Sequence, residues 1–146
     1  MRAFLAAAVA LGFAWAADAH EVKKGDLTLS DLQVRATVAG LPTSAAYLTI
    51  SNAGKTPDTL LGIDCACAAS AMMHRSEIKN GVSSMSMVGK LEIPAGGKVA
   101  FRPDGLHVML VGLKGPLKAG GMQEMTLRFQ KAGTVKAGFH VRDVIK

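Results

Sequence analysis

Residues 71–88 read AMMHRSEIKN followed by GVSSMSMV, two short runs that meet at Asn80-Gly81. Asn-Gly is the strongest two-residue hairpin signal, because both central positions of a type I′ turn require positive φ. With that pair as the loop, Lys79 faces Val82, and stepping outward sets His74 opposite Met87 and diagonal to Met85. A strand has a side-chain period of two, so Met72, His74, Met85 and Met87 share one face while Met73 points to the other.

The same punctuation recurs along the chain. Runs at 27–38, 45–50, 59–63, 71–78, 82–88, 97–101, 107–113, 121–129 and 134–141 favour extended structure. Between them lie breakers such as Gly40-Leu41-Pro42, Asn52-Ala53-Gly54, Pro94-Ala95-Gly96-Gly97, Pro103-Asp104-Gly105 and Gly120-Gly121. Short runs at this spacing predict an all-β antiparallel sandwich or barrel, and no stretch has the length and periodicity of a core helix.

Ahead of these runs, Arg2 precedes an apolar segment that ends in Ala17-Asp18-Ala19. A basic start, a short apolar run and a small-x-small site predict a signal peptide over residues 1–19, cleaved after Ala19, and the run is too short to span a bilayer. Residues 20–146 then form a single domain, with no transmembrane segment expected in the mature chain. Loss of Arg2 and Asp18 together leaves the net charge of +6 unchanged. The cations are scattered, and the mature region keeps only Tyr47, Phe101, Phe129 and Phe139 as aromatics. With neither a basic stripe nor a stacking platform, nucleic acid is excluded as a partner, and the charge reads as solubility plus attraction to acidic surfaces.

Seven of the eight methionines follow the leader, at 72, 73, 85, 87, 109, 122 and 125, and most lie near His74 or His107 in sequence. His107-Val108-Met109 presents an imidazole and a thioether on one face of a strand, as His74 and Met85 do across the hairpin. Two such half-sites make a soft N/S ligand set with no thiolate charge. Thioethers bind zinc, calcium and magnesium poorly, so this set selects cuprous copper.

The spacing His74-x10-Met85-x21-His107-x-Met109 resembles that of the periplasmic copper chaperones of the PCu(A)C type. Ile93-Pro94-Ala95-Gly96-Gly97, Gly105 to Lys114, Arg35-Ala36-Thr37 and Ala46 to Asn52 also look like that family. The resemblance implies a cupredoxin-like β-sandwich of Greek-key topology, with one Cu(I) held by His74, Met85, His107 and Met109. It further implies a periplasmic metallochaperone, not an enzyme, that delivers copper to cytochrome c oxidase subunit II or another periplasmic cuproprotein, alone or with a second copper chaperone. Where relatives often carry additional methionines, this chain has Arg75, Ser76 and Ser83, and Met72 and Met87 stand as auxiliary metal positions. Storage of copper without transfer is the alternative function.

Cys65-Ala66-Cys67 leaves three readings open. It can form a local disulfide, which requires a bend because strand residues two apart are too widely spaced; it can pair between chains or stay reduced; or it can serve as an auxiliary copper dithiol. A blue-copper centre is disfavoured, since its cysteine normally lies close to the second histidine and none adjoins His107. His20 would become the new N-terminus and an auxiliary Cu(II) chelator, the basis of a third reading as a histidine-brace copper enzyme. His140, between Phe139 and Val141, reads as structural.

Overall fold

The computed structural model describes residues 21–143 and 145. The leader, its cleavage site and His20 lie outside the described residues. Eleven strands follow one another: β1 (Val22–Lys24), β2 (Leu27–Arg35), β3 (Thr43–Asn52), β4 (Asp58–Asp64), β5 (Ala68–Lys79), β6 (Val82–Val88), β7 (Leu91–Ile93), β8 (Lys98–Ala100), β9 (Leu106–Leu113), β10 (Met122–Phe129) and β11 (Gly133–Arg142). No helix occurs among the described residues. Neighbouring strands run in the order β6-β5-β9-β3-β2-β11-β10-β4-β7, with β1 beside β2 and β8 beside β3. This is the all-β architecture that the turns and short runs predict, and the cupredoxin-like sandwich that the family resemblance implies.

Alternation explains why these residues form strands. In β2, Leu27, Leu29, Leu32 and Val34 are buried, and the residues between them face outward or are half-buried. The phase slips between Leu29 and Leu32, where Asp31 adopts φ 53° and the β2–β3 register shifts between Ser30 and Gln33. Such a bulge bends and twists a strand. Here it marks a division in β3, whose first half pairs with β9 and whose second half pairs with β8. The sheet path curls over, and residues 61–64 of β4 line one cleft with Met72, Met73, Met87 and Val88 of β5 and β6. Phe139, Leu48, Ile50, Leu60, Ile93 and Leu110 lie fully buried in the core between the layers.

One ladder departs from the antiparallel expectation: β2 and β11 pair in parallel, Gln33–Arg35 against His140–Arg142. Parallel neighbours need a long crossover, and here nearly the whole domain supplies it. The strand predicted to reach residue 38 stops at Arg35, because Thr37 turns aside to exchange hydrogen bonds with Leu117 through its amide and hydroxyl. β1 and β7 were not predicted; three residues are too few to display a period.

The core also divides the methionines. Met73 and Met125 are buried apolar filler, whereas Met85, Met87 and Met122 are more than half exposed. Core packing accounts for the first pair. It does not account for the others.

β5 and β9 form the ladder that matters for the site, running from Arg75 against Leu106 to Ala68 against Leu113. Near its far end Gly112 has φ +71°, and a Cβ there would lie 2.8 Å from Ala69 Cβ. Gly112→Ala therefore meets both backbone strain and a clash. It should destabilise the fold by about 1–3 kcal/mol, read as a lowered denaturant midpoint with unchanged slope.

Candidate metal centre

Three strands build the site. The Asn80-Gly81 turn closes β5 onto β6, with both residues at positive φ, 52° and 75°. The register is the predicted one: Lys79 opposite Val82, Ser76 opposite Met85 and His74 opposite Met87. β9 lies on the other side of β5, where His74 stands opposite His107 and Met72 opposite Met109. Because the period of two holds on all three strands, His74, Met85, His107 and Met109 share one face, opposite that of the buried Met73, Val108 and Leu110.

The imidazoles meet edge to face, with centroids 5.9 Å apart and planes 69° apart. His74 Nδ1 lies 3.1 Å from Met85 Sδ, so the diagonal hairpin pair is in contact. Met109 is half-buried two residues along from His107.

His107 is buried, 5% exposed, and is fixed from behind. Its Nδ1–H donates to the Gly105 carbonyl at 2.9 Å. That bond selects the tautomer with the proton on Nδ1 and leaves Nε2 as the free lone pair, the usual way a backbone carbonyl prepares a metal-binding histidine. The Gly105 carbonyl also accepts the Ser76 amide at 3.1 Å, which ties β5 to the 102–106 turn. Gly105 N donating to Arg102 O and Arg102 N donating to Leu106 O close the turn itself.

His74 lacks such a partner. Its Nδ1 faces only a thioether, a weak acceptor, and its Nε2 is buried with no hydrogen bond, the one such buried side-chain nitrogen or oxygen among the described residues. Leaving a buried polar group unpaired costs about 1–3 kcal/mol. A coordinated ion would remove that cost. Among the described residues no group of three or more His, Cys, Asp and Glu is placed to hold a metal. The two imidazoles are complemented by thioethers alone, a donor set that fits a soft monovalent ion and not a hard divalent one.

The remaining candidates fall around this centre. Met72 shares its face, two rungs along the β5–β9 ladder from the histidines and opposite Met109. Met87 lies opposite His74 with its side chain 69% exposed. Cys65 and Cys67 are joined by a disulfide across a turn between β4 and β5, where bending brings the Cα atoms to 5.1 Å. The Cys67 amide donates to Cys65 Sγ at 3.2 Å. No thiolate is therefore available from the bridged pair. His140 lies on β11, paired with Gln33 and Met122, on a different part of the sheet.

Two contributions escaped the sequence reading. One is the Gly105 carbonyl; its signal was the Pro103-Asp104-Gly105 turn just before His107, read there as a breaker only. The other is the β5–β9 register, which depends on a non-local pairing with no turn to announce it.

A fold of this kind with a His/Met face defines a class, and the model of the LpqE-like family ("Putative lipoprotein LpqE-like") matches residues 27–141. The chain belongs to that family. It is 35% identical over 106 residues to "Putative lipoprotein Lxx21020" of Leifsonia xyli subsp. xyli (strain CTCB07), a match spanning 72% of this chain and 64% of that relative. Among solved structures it resembles the copper-bound PCuAC domain from PmoF2, with TM-score 0.73, 27% identity, and coverage of 86% of this chain and 99% of that one. The apo PCuAC domain from PmoF1 has the same TM-score at 29% identity, covering 86% and 100%. The solution structure of CuI-DR1885 from Deinococcus radiodurans gives TM-score 0.59 and 35% identity, covering 80% and 81%.

Proposed function

We propose that this protein is an exported Cu(I)-binding metallochaperone that holds one copper through His74, Met85, His107 and Met109. The observation that carries this reading is the His74–His107 rung, with the Met85 sulfur 3.1 Å from one ring and the other ring oriented by Gly105. Solved neighbours described as copper-bound and CuI forms support the choice of metal. The lipoprotein relative supports export; in this reading, from the composition of the leader, residues 1–19 are the signal peptide, residues 20–146 the mature domain and the periplasm the destination.

In this reading copper is cargo. His107 and His74 supply neutral imidazole donors, and Met85 and Met109 supply thioethers that hold a soft ion without neutralising its charge. Such a set binds tightly yet yields to a thiolate-bearing receptor. The acceptor is cytochrome c oxidase subunit II or another periplasmic cuproprotein. Titration of the mature protein with Cu(I) against a competing chelator should reach one equivalent, and mixing with an apo subunit II fragment should move the metal across. Copper that binds but never leaves would identify the storage function instead.

Proton competition gives a further expected outcome. An imidazole must be unprotonated to hold the metal, whereas a thioether has no proton to lose. Copper and protons compete for the two imidazole nitrogens and not for the sulfurs, so copper binding should displace at most two protons. A continued rise in affinity above neutral pH would instead mark thiolate ligation.

A further inference from the structure

Among the described strands, the order ends in β7 on one side and β6 on the other. β7 is three residues long and runs into Pro94, so it offers little free edge. β6 is seven residues long, exposed at every position but Val88, and contains neither a charge nor a proline. Soluble proteins normally guard an edge strand with lysine, proline, a bulge or shortness. This one is unguarded. Met87 and Ile78 are 69% and 78% exposed and share the face of the candidate ligand Met85, while Val82, 65% exposed, lies on the opposite face of the same hairpin.

An edge of this kind is completed by an extended segment that adds to the sheet through its backbone. Charge decides whose segment it is. Arg75, Lys90 and Arg102 are exposed around the hairpin and the 102–106 turn, beside the Lys79–Glu77 pair at 3.6 Å and the acidic Asp104, so the rim stays net positive. A second copy would set these cations against themselves, with a net charge of +6 on each chain. An acidic partner is attracted to the same rim.

We propose that the free edge of β6 is the docking strand for the copper acceptor, which pairs an extended segment flanked by Asp or Glu alongside it. This rests on the delivery reading of the same site. Docking there sets the acceptor's ligands beside Met85, the most exposed of the four donors. Transfer is then a ligand exchange: copper stays Cu(I), an incoming side chain replaces the Met85 sulfur, and no electron moves.

Ser83 provides the test: it is exposed, lies outside the ligand set, and stands opposite Ile78 in a non-hydrogen-bonded pair of the hairpin, so its amide faces the free edge. Ser83→Pro removes an edge-facing donor without touching the β5 ladder and so blocks strand addition, and Ser83→Lys guards the edge while leaving the backbone unchanged. For both, Cu(I) affinity and extraction by a small-molecule chelator should equal wild type. Transfer to the apo subunit II fragment should slow at least tenfold, and wild-type transfer should slow as salt rises. Wild-type transfer rates in both variants, with affinity intact, would overturn the docking strand alone. A Cu(I)-dependent homodimer lost in the variants would overturn it too, by making a second copy the occupant. Failure of the wild-type protein to bind Cu(I) or to hand it on would overturn the delivery reading itself.

Discussion

Cu(I) should be held at least a thousandfold more tightly than Zn(II), a difference of roughly 4 kcal/mol. The reason lies in the donors the fold gathers. Only two of the four are nitrogen, and thioether sulfur contributes little to zinc, which prefers thiolate, imidazole and carboxylate in a closed tetrahedron. No carboxylate or thiolate stands in for the sulfurs, because the described residues hold no cluster of three or more His, Cys, Asp and Glu suited to a metal, and Cys65 and Cys67 are bridged. Competition titrations with both ions on one preparation check this. Comparable affinities would show that the thioethers are not ligands.

The second large effect concerns those sulfurs directly. Met→Leu keeps volume and apolarity while deleting the donor, a swap that usually costs less than about 1.5 kcal/mol even in a core. Met85 is 53% exposed, so its replacement should leave stability nearly unchanged. Met85→Leu and Met109→Leu should each lower Cu(I) affinity about tenfold, and the double variant about a hundredfold, or roughly 2.7 kcal/mol. Circular dichroism and thermal midpoints establish that the fold is retained. Met125→Leu, a change wholly within the core, should leave affinity alone.

How much of this was legible in the sequence follows the range of the interactions. The hairpin register was readable to the residue, because Asn80 and Gly81 fix it locally through positive φ at both positions. The sandwich was readable from alternation and turn spacing. Parity alone set Met73 on the face opposite Met72 and His74, and burial in the structure shows that this face is the core. The meeting of His74 with His107 was different. Thirty-three positions separate them, and no local rule pairs β5 with β9 in preference to any other strand. The spacing pattern suggested that the two half-sites belong together, but only the tertiary ladder puts one imidazole opposite the other. The parallel β2–β11 ladder escaped for the same reason, since the crossover that permits it is the rest of the domain.

The thioether pattern also needed the structure to be divided. In sequence, seven post-leader methionines look alike. Burial separates Met73 and Met125, whose role is packing, from Met85, whose sulfur touches His74. Met87 shows the limit of the register argument: it sits opposite His74, yet most of its side chain faces outward.

X-ray absorption at the copper edge tests the central claim most directly, with the protein loaded with one equivalent of Cu(I) and the same spectrum recorded for the Met85→Leu and Met109→Leu variants. The account predicts two nitrogen and two sulfur scatterers in the wild-type protein and the loss of one sulfur in each variant. A first shell of nitrogen alone, or a sulfur count unchanged by both substitutions, would contradict it.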